Sequence, residues 1–178
     1  MRAEPLRFRG ATLLWPQVHA DDRGDFHRVV EAVDLASMGL DPTISQVSVA
    51  NNRRRGTLRG MHYQAEPHGE AKTLWCHAGS VYDVLVDLRA SEPTYGEWVS
   101  VVLTAKQPVA LHVPRGVAHG YQTLEDDSAL TYLISSPYVA ESARCLHWQD
   151  PTVGIDWPLD VTAISARDQK APSWPMSR

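Results

Sequence analysis

The sequence predicts an all-β fold, a β-sandwich or jelly roll with little helix, and three observations carry that prediction. Short runs rich in β-branched and aromatic residues recur along the chain at near-regular spacing. Clusters of Gly, Pro and Asp separate them, as at Pro93-Thr94-Tyr95-Gly96 and Pro114-Arg115-Gly116. One short stretch, Val33 to Met38, has helical character before Gly39 and Pro42 end it. With 178 residues and 43% of them apolar, the chain is long enough to bury one ordinary core, so a single domain over residues 1–178 is expected.

Taken in order, Leu6-Arg7-Phe8 and Ala11-Thr12-Leu13-Leu14-Trp15 read as short strands broken at Gly10 and Pro16, and Asp21-Asp22-Arg23-Gly24-Asp25 as a turn. Ile44 to Ala50 alternates, with Gln46, Ser48 and Ala50 against Val47 and Val49, as a half-buried strand does. Gly56 to Gln64 is strand-like, and Pro67 and Gly69 make Ala65 to Gly69 a loop. Ala71 to His77 places Lys72, Leu74 and Cys76 on one face, and Gly79-Ser80 turns the chain into Val81 to Leu88. Further strands follow at Trp98 to Leu103, Val109 to Val113, Val117 to Leu124 and Ala129 to Ser135. The tail from Trp148 to Trp174, rich in Pro and Asp, reads as irregular chain packed over the barrel.

Charge and apolar runs exclude several function classes. Net charge is -4 and the densest basic run is Arg53-Arg54-Arg55, far short of the basic field that nucleic acid requires. Apolar runs fall well below the ~20 residues of a membrane-spanning helix, and Met1-Arg2-Ala3-Glu4-Pro5 lacks the apolar segment of a signal peptide. A soluble cytoplasmic protein is expected. Cys76 and Cys145 form no C-x-x-C pair and read as free thiols of a reducing compartment.

The chemistry concentrates around Gly56-Thr57-Leu58-Arg59-Gly60-Met61-His62-Tyr63-Gln64. A regular strand would turn Arg59 and His62 to opposite faces. Both serve one pocket only if the register breaks between them, and Gly60 is where a bulge fits without strain. His62 is open to two readings, a structural strand histidine or a base. Asp83 lies in an apolar strand and needs a partner, for which Lys72 is a candidate. Tyr132 shares a face with Leu130 and Ile134, pointing inward. Arg23 follows two acids, as in a surface ion pair.

The inward polar set of His62, Lys72, Asp83, His119 and Tyr132 suits proton abstraction next to a carbonyl. An imidazole is the base, an ammonium stabilises the enolate oxygen, and a phenol donates a proton from another direction. A metal centre is the competing reading, drawing on His68, Glu70, His77 and His119. Position 64, where a second ligand to pair with His62 would stand, is Gln, and the histidine spacing fits no tight ligand pattern.

These residues resemble the dTDP-4-dehydrorhamnose 3,5-epimerases, a family of cupin-type jelly rolls. The matching segments run in order through Asp22-Arg23-Gly24, Gly56 to Gln64, Ala71-Lys72, Val81-Tyr82-Asp83-Val84 and Asp87-Leu88-Arg89. They continue through Ser91 to Gly96, Val113 to Tyr121, Tyr132, Tyr138, Asp150-Pro151, Gly154 to Pro158 and Ser165-Ala166-Arg167-Asp168. The resemblance implies His62 as base oriented by Asp168, Tyr132 as acid on the opposite face of the sugar, and Lys72 at the enolate oxygen. It further implies that Arg23, Arg59, His119, Tyr138 and Arg167, with Asp83, serve substrate binding. No metal or organic cofactor is implied, and the partner is a second copy whose N-terminal strands cross between subunits of a homodimer.

The chain departs from the family pattern at Val47 and Val49, where Gln-x-Asn is common, and at Arg28 and Ala143, where acids are common. Two valines do not replace amide hydrogen bonds, so the nucleotide base and exact sugar stay open, as does the choice between C3, C5 and both. The alternatives are a mono-epimerase on another nucleotide sugar, a metal-dependent cupin oxygenase or isomerase, and a catalytically inert sugar-nucleotide-binding cupin.

Overall fold

The strand runs fold into two antiparallel sheets packed face to face, seen in a computed structural model that describes residues 1–174. The N-terminal elements are β1 (Arg2–Pro5), β2 (Thr12–Trp15), β3 (Val18–Asp21), β4 (Gly24–His27) and the short helix α1 (Ala32–Ser37). The body follows as β5 (Gln46–Asn52), β6 (Leu58–Gln64), β7 (Lys72–Ala78), β8 (Ser80–Asp87) and β9 (Trp98–Thr104). After these come β10 (Ala110–Val113), β11 (Val117–Thr123), β12 (Ser128–Ile134), β13 (Ala143–Cys145) and helix α2 (Ala166–Gln169). A six-stranded sheet has the order β1-β2-β10-β7-β12-β5, and a five-stranded sheet the order β13-β6-β11-β8-β9.

Alternation along β8 explains why both of its faces are apolar. Val81 and Leu85 turn into the main core between the sheets with Phe8, Leu74, Leu111 and Leu130. Val84 and Val86 turn the other way and pack with Met61, Ala118 and Leu146 beneath Ile155, Trp157 and Trp174 of the tail. The five-stranded sheet is therefore covered twice, once by its partner sheet and once by the tail. Gln122 pins that cover by donating to Leu159 O at 2.8 Å and accepting from Leu159 N at 3.1 Å.

The N-terminal region departs from expectation in two places. Leu6-Arg7-Phe8 is a turn, closed by Leu6 N donating to Ala11 O at 2.8 Å, because Phe8 inserts into the core and must leave the sheet to do so. Arg2–Pro5 is instead the strand, an exposed edge where the missing N–H of Pro5 costs little. Strands β3 and β4 form a hairpin joined to neither large sheet, and each of its residues except half-buried His27 is exposed. Cys76 and Cys145 are free and buried, and no helix among the described residues is long and apolar enough to cross a membrane.

Candidate active site

The register of β6 against β11 builds the site. His62 lies opposite His119 and Arg59 opposite Tyr121, with a shift between the two pairs, so β6 carries an extra residue at Gly60-Met61. Gly60 has φ +140°, and a Cβ there would meet the Gly120 Cα at 2.6 Å, so a side chain fits neither its conformation nor its space. The bulge brings Arg59 and His62 to the same cavity of about 300 Å³. His119 and Tyr121 join them from the five-stranded sheet, and Lys72 and Tyr132 enter from the six-stranded one. The strand register break expected at Gly60 is thus what places the two groups together.

Asp168 reaches His62 from 106 residues along the chain, with its Oδ1 2.7 Å from His62 Nε2. Helix α2 delivers it: the Ser165 hydroxyl caps the helix by accepting from Asp168 N at 3.1 Å. Burial pushes the carboxyl up, but hydrogen bonds from His62 and from Gly60 N outweigh it and hold Asp168 below the usual carboxylate range. An ionised carboxylate accepts, so Nε2 carries the proton and Nδ1 is left as the basic nitrogen. The His62 side chain is 40% exposed and Asp168 only 4%, so the pair is anchored at one end and open at the other.

Lys72 is buried and held from two sides, pairing with Glu70 Oε1 at 2.9 Å and donating to His62 O at 3.1 Å. Asp83 is not its partner. That carboxylate, wholly buried, accepts from His119 Nε2 at 2.9 Å, while its Oδ1 has no hydrogen-bond partner among the described residues. Burial pushes Asp83 upward and the His119 contact offsets only part of that. Asp83 therefore stands behind the cavity as the support of His119, because alternation turns it into the core one layer below the lining. The His119 ring in turn meets the Tyr132 ring edge-on at 5.9 Å. Burial also pushes the Tyr132 phenol well above its ordinary value.

Tyr138 and Arg167 line the same cavity, and Arg59 and Arg167 also border an adjoining groove with Thr57 and Ser165. Two guanidinium groups at one mouth suit an anionic ligand such as a diphosphate. Arg23 is not brought there: it sits in the β3–β4 hairpin, bound to Asp21 through Nη2 at 2.6 Å, with its side chain 90% exposed. Of the departures from the family pattern, Val49 and Ala143 line the cavity, Val47 is exposed beside it, and Arg28 pairs with Glu31 at 3.0 Å.

Sequence reasoning missed the part that three residues play. It offers Glu70 as a possible metal ligand but not as the partner of Lys72, because Glu70 lies in a loop, where no periodicity says which way a side chain points. Asn52 accepts from Arg59 Nε at 2.8 Å and from the Tyr121 hydroxyl at 3.1 Å. Asn52 lies past the strand read at Ile44 to Ala50, and Tyr121 gave no signal beyond its place in the strand Val117 to Leu124 and at the end of a matching segment. His62, Cys145 and Asp168 place three potential metal-ligand atoms within 4.8 Å of one another. The 2.7 Å between Nε2 and Oδ1 is a hydrogen-bond distance, whereas two such ligands on a tetrahedral zinc ion lie about 3.3 Å apart. Burial and the neighbouring Asp168 push the Cys145 thiol up to about 12, which keeps it protonated.

A family model described as dTDP-4-dehydrorhamnose 3,5-epimerase matches residues 5–175. The chain is 37% identical to the dTDP-4-dehydrorhamnose 3,5-epimerase of Sinorhizobium fredii, over 97% of its own length and 89% of the relative's. Its fold superposes on the crystal structure of dTDP-4-dehydrorhamnose 3,5-epimerase from Elizabethkingia anophelis with a TM-score of 0.93 at 30% identity, covering 98% and 96% of the two chains. It also superposes on a 3'-monoepimerase from Streptomyces bikiniensis in complex with dTDP-quinovose, with a TM-score of 0.88 at 37% identity over 95% and 86%. Matched across almost all of its length, this cupin-type jelly roll belongs to the dTDP-4-dehydrorhamnose 3,5-epimerase family, whose members are carbohydrate isomerases.

Proposed function

We propose that the chain epimerises a dTDP-linked 4-keto-6-deoxy sugar, dTDP-4-dehydro-6-deoxyglucose or a close relative, at C3, C5 or both. One observation carries the reading: an oriented imidazole and a phenol enter one cavity from the two opposing sheets. The C4 ketone acidifies the hydrogens at C3 and C5, and inversion requires removal on one face and return on the other. His62 Nδ1 takes the proton, and the C–H electron pair passes into an enolate. The Lys72 ammonium stabilises the oxygen anion, and Tyr132 protonates the carbon from the far side. Solvent then restores the tyrosine proton and accepts the one on His62. The reaction is redox-neutral: His62 and Tyr132 move the protons, solvent exchanges them, and Asp168 and Lys72 supply the compensating charges.

In this reading Arg59 and Arg167 hold the diphosphate and His119 and Tyr138 contact the sugar, which is supported by all four lining the one cavity. The exposed hairpin supports a homodimer in which the N-terminal strands cross and Arg23 enters the cavity of the partner subunit. A nucleotide-sugar substrate and two free thiols support a cytoplasmic setting. The test is NMR of dTDP-4-keto-6-deoxyglucose in D2O with the wild type and His62→Ala. Deuterium at C3 and C5 with wild type, and neither with the variant, is expected of a double epimerase. Deuterium at one carbon marks a mono-epimerase, and full activity in His62→Ala overturns the assignment.

A further inference from the structure

Tyr132 must give up a proton in a setting that opposes it. Burial raises its phenol, and the resting contact with Tyr121 and the nearby Asp83 add to that, so the tyrosinate left by proton transfer needs a hydrogen-bond donor. Tyr121 is the neighbour able to supply one. Its hydroxyl meets that of Tyr132 across the sandwich, β11 facing β12, and at rest the contact favours the protonated Tyr132 phenol, with Tyr132 as donor and Tyr121 as acceptor. At rest the Tyr121 hydroxyl donates to Asn52 Oδ1 at 3.1 Å, and Arg59 Nε donates to the same oxygen at 2.8 Å. The Asn52 amide nitrogen is committed elsewhere, to Ser128 O at 3.0 Å and Ala50 O at 3.3 Å, which fixes the direction of its oxygen.

We propose that Tyr121 and Asn52 are positioning residues for the acid, holding a hydroxyl beside Tyr132 that turns its O–H toward the tyrosinate as it forms. The Tyr132 O–H bond breaks as the carbon–hydrogen bond forms. Tyr121 keeps its own proton and changes only its acceptor, from Asn52 Oδ1 to the Tyr132 oxygen. Asn52 Oδ1 retains Arg59 as donor, so the switch strands no buried polar atom. The competing reading makes Tyr121 a core aromatic whose hydroxyl is merely satisfied, since its ring also belongs to the main core. The two readings differ in which half of the reaction they touch.

This inference rests on the epimerase reading of the site, and the experiment separates the two. Wild type and Tyr121→Phe are incubated with dTDP-4-keto-6-deoxyglucose in D2O. Deuterium is counted apart in recovered substrate, where it reports proton removal by His62 alone, and in inverted product, where it reports delivery by Tyr132. Loss of a hydrogen bond to a charged group should lower inversion roughly 10- to 100-fold while proton removal stays within about twofold. Asn52→Ala should move the ratio in the same direction, with thermal melts confirming that both variants fold. An equal fall in both readouts makes Tyr121 structural and overturns the proposal, as does an unchanged ratio. Absence of deuterium with the wild type overturns the epimerase reading itself.

Discussion

Replacing Asp168 with Asn tests the proposal that its pairing with His62 makes the imidazole a base. Between full charges 2.7 Å apart, the attraction that stabilises an imidazolium is about 6 kcal/mol at an effective dielectric constant of about 20. Burial of Asp168 takes back part of that, and the net worth of a hydrogen bond to a charged group is about 1.5–3 kcal/mol, or roughly 10- to 150-fold in kcat. A second effect enlarges the loss. An amide that turns its NH2 toward Nε2 moves the imidazole proton onto Nδ1, the nitrogen that has to accept. In the serine protease triad the corresponding change costs about 10⁴ in kcat. Asp168→Asn should therefore lower the rate of deuterium entry at C3 and C5 by about 10²- to 10⁴-fold. KM should stay within about threefold, because the carboxylate stands behind the imidazole with 4% of its side chain exposed. A folded variant with kcat within about threefold of wild type would refute the reasoning.

His112 sets an acid limit on stability. Buried and hydrogen-bonded to Thr73 through Nδ1 at 2.8 Å, it is pushed down to about 4, burial being the cause. The unfolded chain binds a proton near pH 6.5 that the native state refuses, so stability falls as pH drops from about 6.5 to about 4, by about 3 kcal/mol in all. Urea titrations at pH 7 and pH 4.5 should show that loss in wild type and a smaller one in His112→Gln; equal losses would remove His112 as the cause. For the quaternary structure, light scattering should return twice the 19.8 kDa chain mass, and Arg23→Ala should raise KM about tenfold or more without altering that mass. A monomeric wild type with full activity would sink the shared-site reading.

Period-2 alternation was enough to locate most strands and to turn Tyr132 and Lys72 inward, since facing is a local property of a strand. The bulge at Gly60 was legible for the same reason: two functional groups three positions apart demand a break, and the intervening glycine is the place for it. Alternation says nothing about which strand lies across the sandwich. The sequence therefore offers Lys72 as the candidate partner of Asp83, whereas the partner is His119 on the adjacent β11 and Lys72 finds Glu70 in the preceding loop. Asp168 was visible only through resemblance, because a helix of four residues set in an irregular tail has no pattern that points 106 residues back. Arg23 illustrates the remaining gap, as a single chain leaves it on an exposed hairpin whatever its role in an assembly.

The two-sheet architecture also bears on why relatives that invert one carbon or two share one fold. The proposed base and acid stand on separate layers, His62 with Asp168 on one side and Tyr132 on the other, the first held by its hydrogen bond to Asp168 and the second by the His119 ring that meets it from the facing sheet. Layers in a sandwich are about 10 Å apart, room for a sugar ring but little more, so the two groups meet whichever carbon the ring presents between them. Rearranging the acid or the base would disturb a core in which Leu74, Leu85 and Leu130 are fully packed. Turning the ring would leave that core untouched, and Val49, Tyr138, Ala143 and Arg167, which line the cavity, are the side chains expected to govern it. Carbon selectivity in this chain should therefore follow changes at those four positions, while the proton removal proposed for His62 should persist in the same variants.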